Sequence, residues 1–239
     1  MVNPRVHITK SPADLEKFVA DAVHNVVVFD NNPFPVVIGV SGGSIVPVVA
    51  KALEPYAGRN IRIFAVDERL VALEDADSNT GAYLKLLPPA FKDKFALLPV
   101  DVTNASVAAT SYESILRSWK VPQTEGGLPA FDLLFLGMGP DGHTCSLFPG
   151  HELVKYSGPA WVLSIEDSPK PPPRRITVSL PVLLAAKRNV LIATGAGKAE
   201  VLHKIIDEKD QGYPTSKLFS ALNTDWVLDE ASAANVANE

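Results

Sequence analysis

Short apolar runs alternate with longer amphipathic stretches along all 239 residues of the chain. Pro35 to Val40 (PVVIGV) is unbroken and rich in β-branched side chains, the pattern of a strand buried on both faces. Ile61 to Val66 and Phe131 to Leu136 repeat that pattern. Phe95 to Leu98, Trp161 to Ile165, Ile176 to Leu180, Asn189 to Ala193 and Trp226 to Leu228 are shorter or weaker strand signals. Helical spacing dominates between them. Ser11, Pro12 and Asp14 form an N-cap, a first-turn proline and a capping-box-like acid, and Leu15, Phe18, Val19 and Ala22 follow on one face. Further helices are expected up to about Tyr56, over Asn79 to Leu87, Asn104 to Trp119 and Pro181 to Lys187, and over 199–208. The stretch from Ser168 to Arg175 carries four prolines and must be extended. The tail from Ala231 is small and polar and is expected to fray.

Strand, loop and helix recurring five or six times argue for a single α/β domain over residues 1–239 with a mostly parallel sheet. Such sheets bind ligands beyond the carboxyl ends of their strands. The glycine-rich and charged segments stand at those ends: Ser41-Gly42-Gly43-Ser44, Asp67-Glu68-Arg69, Gly139-Pro140-Asp141-Gly142-His143 and Gly195-Ala196-Gly197-Lys198.

Composition narrows the class. An apolar fraction of 46% excludes disorder for the bulk of the chain. The single cysteine, Cys145, excludes an intrachain disulfide framework. A net charge of −5 argues against nucleic acid as a partner, so an anion site must be local and built. No apolar run approaches the ~20 residues of a membrane span, and no targeting pattern is recognisable at residues 1–12, so the expectation is a cytoplasmic protein without membrane contact. Oligomeric state is not legible.

Gly39-Val40-Ser41-Gly42-Gly43 fits the G-x-S-x-G elbow, but too little sheet precedes it to supply the second half of an oxyanion hole. A phosphate cradle suits it better, with two glycines allowing close approach and N–H groups of Gly42, Gly43 and Ser44 facing an anion. Gly137-x-Gly139-x-x-Gly142 matches a dinucleotide fingerprint in letters only: Pro140 interrupts it and no amphipathic helix opens at Gly142. His143 follows a buried strand on a Gly/Pro/Asp loop, with an imidazole suited to proton transfer near neutrality and Asp141 two residues away to orient it. Asp141, His143, Cys145 and His151 fit no zinc spacing, so neither a metal nor a cofactor is expected. Cys145 reads as a buried small residue. Arg69, Arg175 and Lys198 are the cations expected to bind phosphate, for which arginine offers a planar fork.

Together these segments resemble the 6-phosphogluconolactonase family. The resemblance rests on Val40–Ser44, Asp67–Val71, Leu136–Pro149 (LGMGPDGHTCSLFP), Asp167–Pro172, Arg175–Thr177 and Leu180–Leu183, in the family's order. It implies a Rossmann-like sheet flanked by helices, of the glucosamine-6-phosphate deaminase and ribose-5-phosphate isomerase type. It further implies hydrolysis of 6-phospho-D-glucono-1,5-lactone without a cofactor. Expected catalytic residues are His143, Asp141 and Arg69. Ser41, Gly42, Gly43, Ser44, Asp67, Arg175 and Lys198 are expected to bind substrate, the phosphorylated sugar lactone. The rival readings are a deaminase or isomerase, whose motif has Glu where this chain has Phe148, and a non-catalytic phosphosugar binder. Tyr213–Lys217 departs from the family pattern at a helix start expected to lie away from the chemistry.

Overall fold

A computed structural model describes residues 5–29, 34–98 and 104–237. Its strands are β1 (Arg5–Thr9), β2 (Val36–Val40), β3 (Ile61–Ala65), β4 (Asp67–Arg69), β5 (Leu133–Gly137), β6 (Val162–Ile165), β7 (Arg175–Val178), β8 (Asn189–Ala193) and β9 (Thr224–Asp229). The helices are α1 (Pro12–Phe29), α2 (Val46–Leu53), α3 (Asn79–Leu86), α4 (Ala105–Ser118), α5 (Leu180–Ala185), α6 (Ala199–Ile206) and α7 (Pro214–Phe219).

Six strands form a parallel sheet in the order β1-β9-β8-β5-β2-β3. Side chains alternate across a strand, so each apolar run feeds two cores. Leu134 and Leu136 of β5 join the core under α4 to α7, while Leu133 and Phe135 join the one under α1, α2 and α3. The chain leaves β2 toward β3 on one side, whereas β5, β8 and β9 build outward on the other. That reversal at β2 and β5 opens a crevice between the loops that follow them, where α/β sheets bind ligands.

Four expectations change. The sequence pattern missed β1, an edge strand whose exposure leaves little apolar signal. Phe95 to Leu98 is not a strand: a 3₁₀ turn over Pro89–Lys94 leads into a single bridge between Phe95 and Ile63. The runs at 162–165 and 175–178 are outside the parallel sheet and pair antiparallel with β4 in a small sheet ordered β4-β7-β6. Finally, residues beyond Ala231 do not fray over the described part. Ser232 is fully buried and donates to the carbonyl of Ala193 at 2.7 Å, anchoring the tail on β8.

Candidate active site

The crevice holds a cleft of about 180 Å³ lined by residues of β4, β7 and the two loops at the sheet's reversal point. At the end of β2, Ser41 N–H donates to the carbonyl of Phe135 and the Ser41 carbonyl accepts from Tyr83 Oη, both at 2.9 Å. This pins the start of the glycine loop between β5 and α3. Gly42, Gly43 and Ser44 all line the cleft, and the last two are exposed. Ser44 makes no helix cap; the loop enters α2 through a 3₁₀ turn over Gly43–Ile45. Among the described residues Ser41 Oγ meets only the Cys145 sulfur, at 3.9 Å, and no histidine. The Cys145 thiol is buried and pushed far up by that burial and by Asp67, so it is an inert wall residue.

β4 sorts its three charges by the pleat. Glu68 is buried: its carboxylate accepts from the backbone N–H groups of Arg69, Asn79 and Thr80, each at 2.8 Å, and so fixes the start of α3. Asp67 and Arg69 take the other face, and both line the cleft. Burial pushes the Asp67 carboxyl up, against the pull of Arg69, Arg175, His143 and the hydrogen bond from Ser146 Oγ at 3.0 Å. Arg69 stands directly opposite Arg175 in the β4–β7 ladder. Like charges so placed repel, and an anion between them would relieve it. Arg69 Nη1 donates to the carbonyl of Asp77 at 2.8 Å, and its buried Nε has no partner among the described residues.

The loop after β5 carries the proton-transfer group. His143 Nδ1 lies 2.5 Å from Asp141 Oδ1. A carboxylate only accepts, so Nδ1 carries the proton and Nε2, without a partner among the described residues, is left basic. Gly139 makes this possible: a Cβ there would sit 2.1 Å from the ring. Phe148 packs against the imidazole with ring centres 4.8 Å apart. Burial draws His143 below the ordinary imidazole range and Lys170 adds to it, while Asp141 and Asp67 oppose. Asp141 is pushed up by partial burial, but His143 and Lys170 more than offset this and hold it below the usual carboxylate range.

Lys170 was not foreseen as a site residue. The proline-rich stretch forms a strap closed by Ser168 N–H donating to the carbonyl of Pro173 at 3.1 Å. Arg175 holds the strap, with Nε donating to the carbonyl of Pro172 at 3.0 Å and Nη2 to those of Lys170 and Pro171 at 2.8 and 3.0 Å. The Lys170 ammonium consequently reaches Asp141 Oδ1 at 3.0 Å and His143 Nδ1 at 3.1 Å. Part of the role expected of Arg175 as an anion binder is therefore spent on backbone, although it still lines the cleft.

Lys198 is not among the cleft's lining residues; its ammonium donates to the carbonyl of Thr194 at 2.5 Å. Gly195 leads the chain from β8, the neighbour of β5, into a 3₁₀ turn over Ala196–Lys198. His151 caps the turn after it and pairs with Asp167. The segment Tyr213–Lys217 is not remote from the chemistry. Thr215 Oγ1 donates to the carbonyl of Gly142 at 2.9 Å, so the start of α7 braces the loop of His143. Asn79, which lines the cleft against Gly42, was also missed; only its position at a helix start was readable.

A family model described as glucosamine-6-phosphate isomerases/6-phosphogluconolactonase matches residues 11–226. The 6-phosphogluconolactonase of Rattus norvegicus is 40% identical over 208 residues, covering 82% of this chain and 79% of the rat protein. Among solved structures, 6-phosphogluconolactonase from Trypanosoma brucei superimposes with a TM-score of 0.86 at 25% identity, over 99% of this chain and 100% of that one. A monomeric glucosamine-6-phosphate deaminase shares the fold at 17% identity, with a TM-score of 0.75 over 97% of this chain and 99% of that one.

Proposed function

Because this chain belongs to the glucosamine-6-phosphate isomerase/6-phosphogluconolactonase family, we propose how its own residues carry out the lactonase reaction. The reaction is hydrolysis of 6-phospho-D-glucono-1,5-lactone to 6-phospho-D-gluconate, a carboxylic ester hydrolysis of the oxidative pentose phosphate pathway. The observation that carries the mechanism is the pairing of His143 with Asp141 at 2.5 Å on the wall of a cleft that also holds Arg69 and the Gly42-Gly43 loop.

The substrate phosphate, mostly a dianion near neutrality, lies on the N–H groups of Gly42, Gly43 and Ser44. Arg69 supplies the main cationic partner, and Arg175, which lines the cleft while its Nη1 donates to Ser146 Oγ at 3.4 Å, the second. His143 Nε2 takes a proton from water as the water oxygen bonds to C1. The carbonyl electrons move onto the oxyanion, which the nearby donors stabilise. On collapse the bond from C1 to the ring oxygen breaks, and Nε2 returns its proton to that oxygen. The open acid then ionises. A positioned base contributes about 10²–10⁴ in rate and an oxyanion donor about 10²–10³, enough for an already activated acyl group. Asp141 holds the ring's tautomer throughout. Asp67 holds the Ser146 hydroxyl and faces the sugar.

Phe148 against the imidazole favours hydrolysis over ring-opening amine chemistry, because it puts a hydrocarbon where the deaminase motif has a carboxylate. A cytoplasmic location is proposed on the single cysteine, which suits a reducing compartment. The test is a coupled assay on freshly made lactone, corrected for spontaneous hydrolysis, with glucosamine 6-phosphate as the comparison substrate. Turnover of the lactone and none of the amino sugar is expected. Acceleration of the amino-sugar reaction alone would overturn the reading.

A further inference from the structure

His143 is enclosed at its Nδ1 edge and over one face. Asp141 takes its Nδ1, Phe148 covers its face, and the Lys170 ammonium stands 3.1 Å from the same Nδ1. Nε2 has no partner among the described residues, and His143 lines the cleft. The charged groups around the ring are Asp141 on its own loop, Lys170 on the strap and Asp67 on β4, with Arg69 and Arg175 across the cleft. A phosphate dianion entering such a site favours the imidazolium, which cannot act as the base. A fixed cation beside the ring opposes that. The strap is built for fixation: Ser168 Oγ donates to the Lys170 carbonyl at 2.9 Å, and Arg175 donates to the same carbonyl and to those of the next two residues.

We propose that Lys170 is a positioning residue for His143: its ammonium, held by the strap, bonded to Asp141 and standing against the Nδ1–H edge of the ring, keeps Nε2 unprotonated while an anionic substrate occupies the cleft. The proposal rests on His143 being the base. It gives Arg175 a second task, since the guanidinium that borders the cleft also sets where the Lys170 backbone lies.

The test compares Lys170→Met and Lys170→Arg with the parent in two measurements. One is an NMR titration of the His143 ring in the free protein, and the other is kcat/KM against pH. In Lys170→Met both the titration of His143 and the acid limb of kcat/KM should move up by about one pH unit or more. Lys170→Arg should retain the parent's values. Inorganic phosphate at saturating concentration should raise the His143 titration further in the Met variant than in the parent. A Met variant whose only change is a higher KM at every pH would make Lys170 a substrate contact and overturn the proposal. An unmoved titration would overturn it too. If the Met variant did not fold, the parent's own titration decides: a His143 value at or above the ordinary imidazole range contradicts the proposal. Failure of the base assignment is distinguishable, because His143→Ala would then keep its turnover while the His143 titrations of the parent and of Lys170→Met still differed.

Discussion

Asn79 occupies the space that a side chain at Gly42 would need: a Cβ there would lie 1.7 Å from Asn79 Oδ1. The backbone at Gly42, with φ −85° and ψ −161°, is extended and open to any residue. The requirement for glycine is therefore contact, not conformation. Asn79 cannot swing away freely, because its amide donates to the carbonyl of Asp67 at 2.8 Å. The loop after β2 and the charged strand β4 are thus registered on one another through a single amide.

Gly42→Ala should consequently be costly, by roughly 1–3 kcal/mol of overpacking. The expected readings are a lower urea midpoint and a raised KM for the lactone. Removing the obstacle in Gly42→Ala/Asn79→Ala should recover part of the stability. A Gly42→Ala protein equal to the parent in both readings would contradict the contact.

Arg69→Ala should weaken binding of 6-phosphogluconate while the fold persists. A charge-assisted hydrogen bond is worth about 1.5–3 kcal/mol. Lys198→Ala should leave that binding essentially unchanged, since its ammonium donates to Thr194 outside the cleft. Titration calorimetry separates the two, and equal losses would show that the cations act jointly.

Ser41→Ala should retain most of its activity, and fluorophosphonates should not label the protein. Ser41 is buried, and among the described residues its hydroxyl meets only the Cys145 sulfur. Stoichiometric labelling at Ser41 would contradict direct attack by water.

The sheet and the loops at its carboxyl ends were legible because buried parallel strands are unbroken apolar runs and the loop residues are chemically distinctive. Asp141, His143, Arg69 and the glycine loop could be placed at one end of the sheet that way. What sequence spacing does not carry is who faces whom. Arg175 reads as a free cation, yet it spends two of its nitrogens on the carbonyls of 170–172. Lys170 lies 27 residues from His143 in sequence and meets it only because the strap folds back. Glu68 looks like one more surface acid in a charged triplet, but the pleat turns it inward to cap α3. Lys198 follows β8, which β5 separates from β2, an order that the end of a strand does not reveal by itself.

Stability should also report on His143. Burial holds its folded value below the ordinary unfolded value near 6.5. Between those two values the unfolded chain binds more protons than the folded one, so stability falls as pH is lowered through that window. His143→Gln lacks the titration. Urea unfolding from pH 8 to pH 5 should show the parent losing stability relative to this variant below about pH 6.5. Asp141, held low, acts in a separate and more acidic window: its contribution is present above its unfolded value and is lost as pH falls through the lower folded value. A parent that gained stability over His143→Gln on acidification would contradict the sign.

The most direct test is the turnover of His143→Ala on fresh 6-phosphogluconolactone, corrected for spontaneous hydrolysis and followed across pH. The ring is held by Asp141, covered by Phe148 and part of the cleft wall, so its removal should take away the base and leave the loop in place. A loss of about 10²-fold or more in kcat is expected, with product binding preserved and the acid limb of the pH profile abolished. Turnover close to the parent's, with the acid limb intact, would contradict the assignment of His143 as the base.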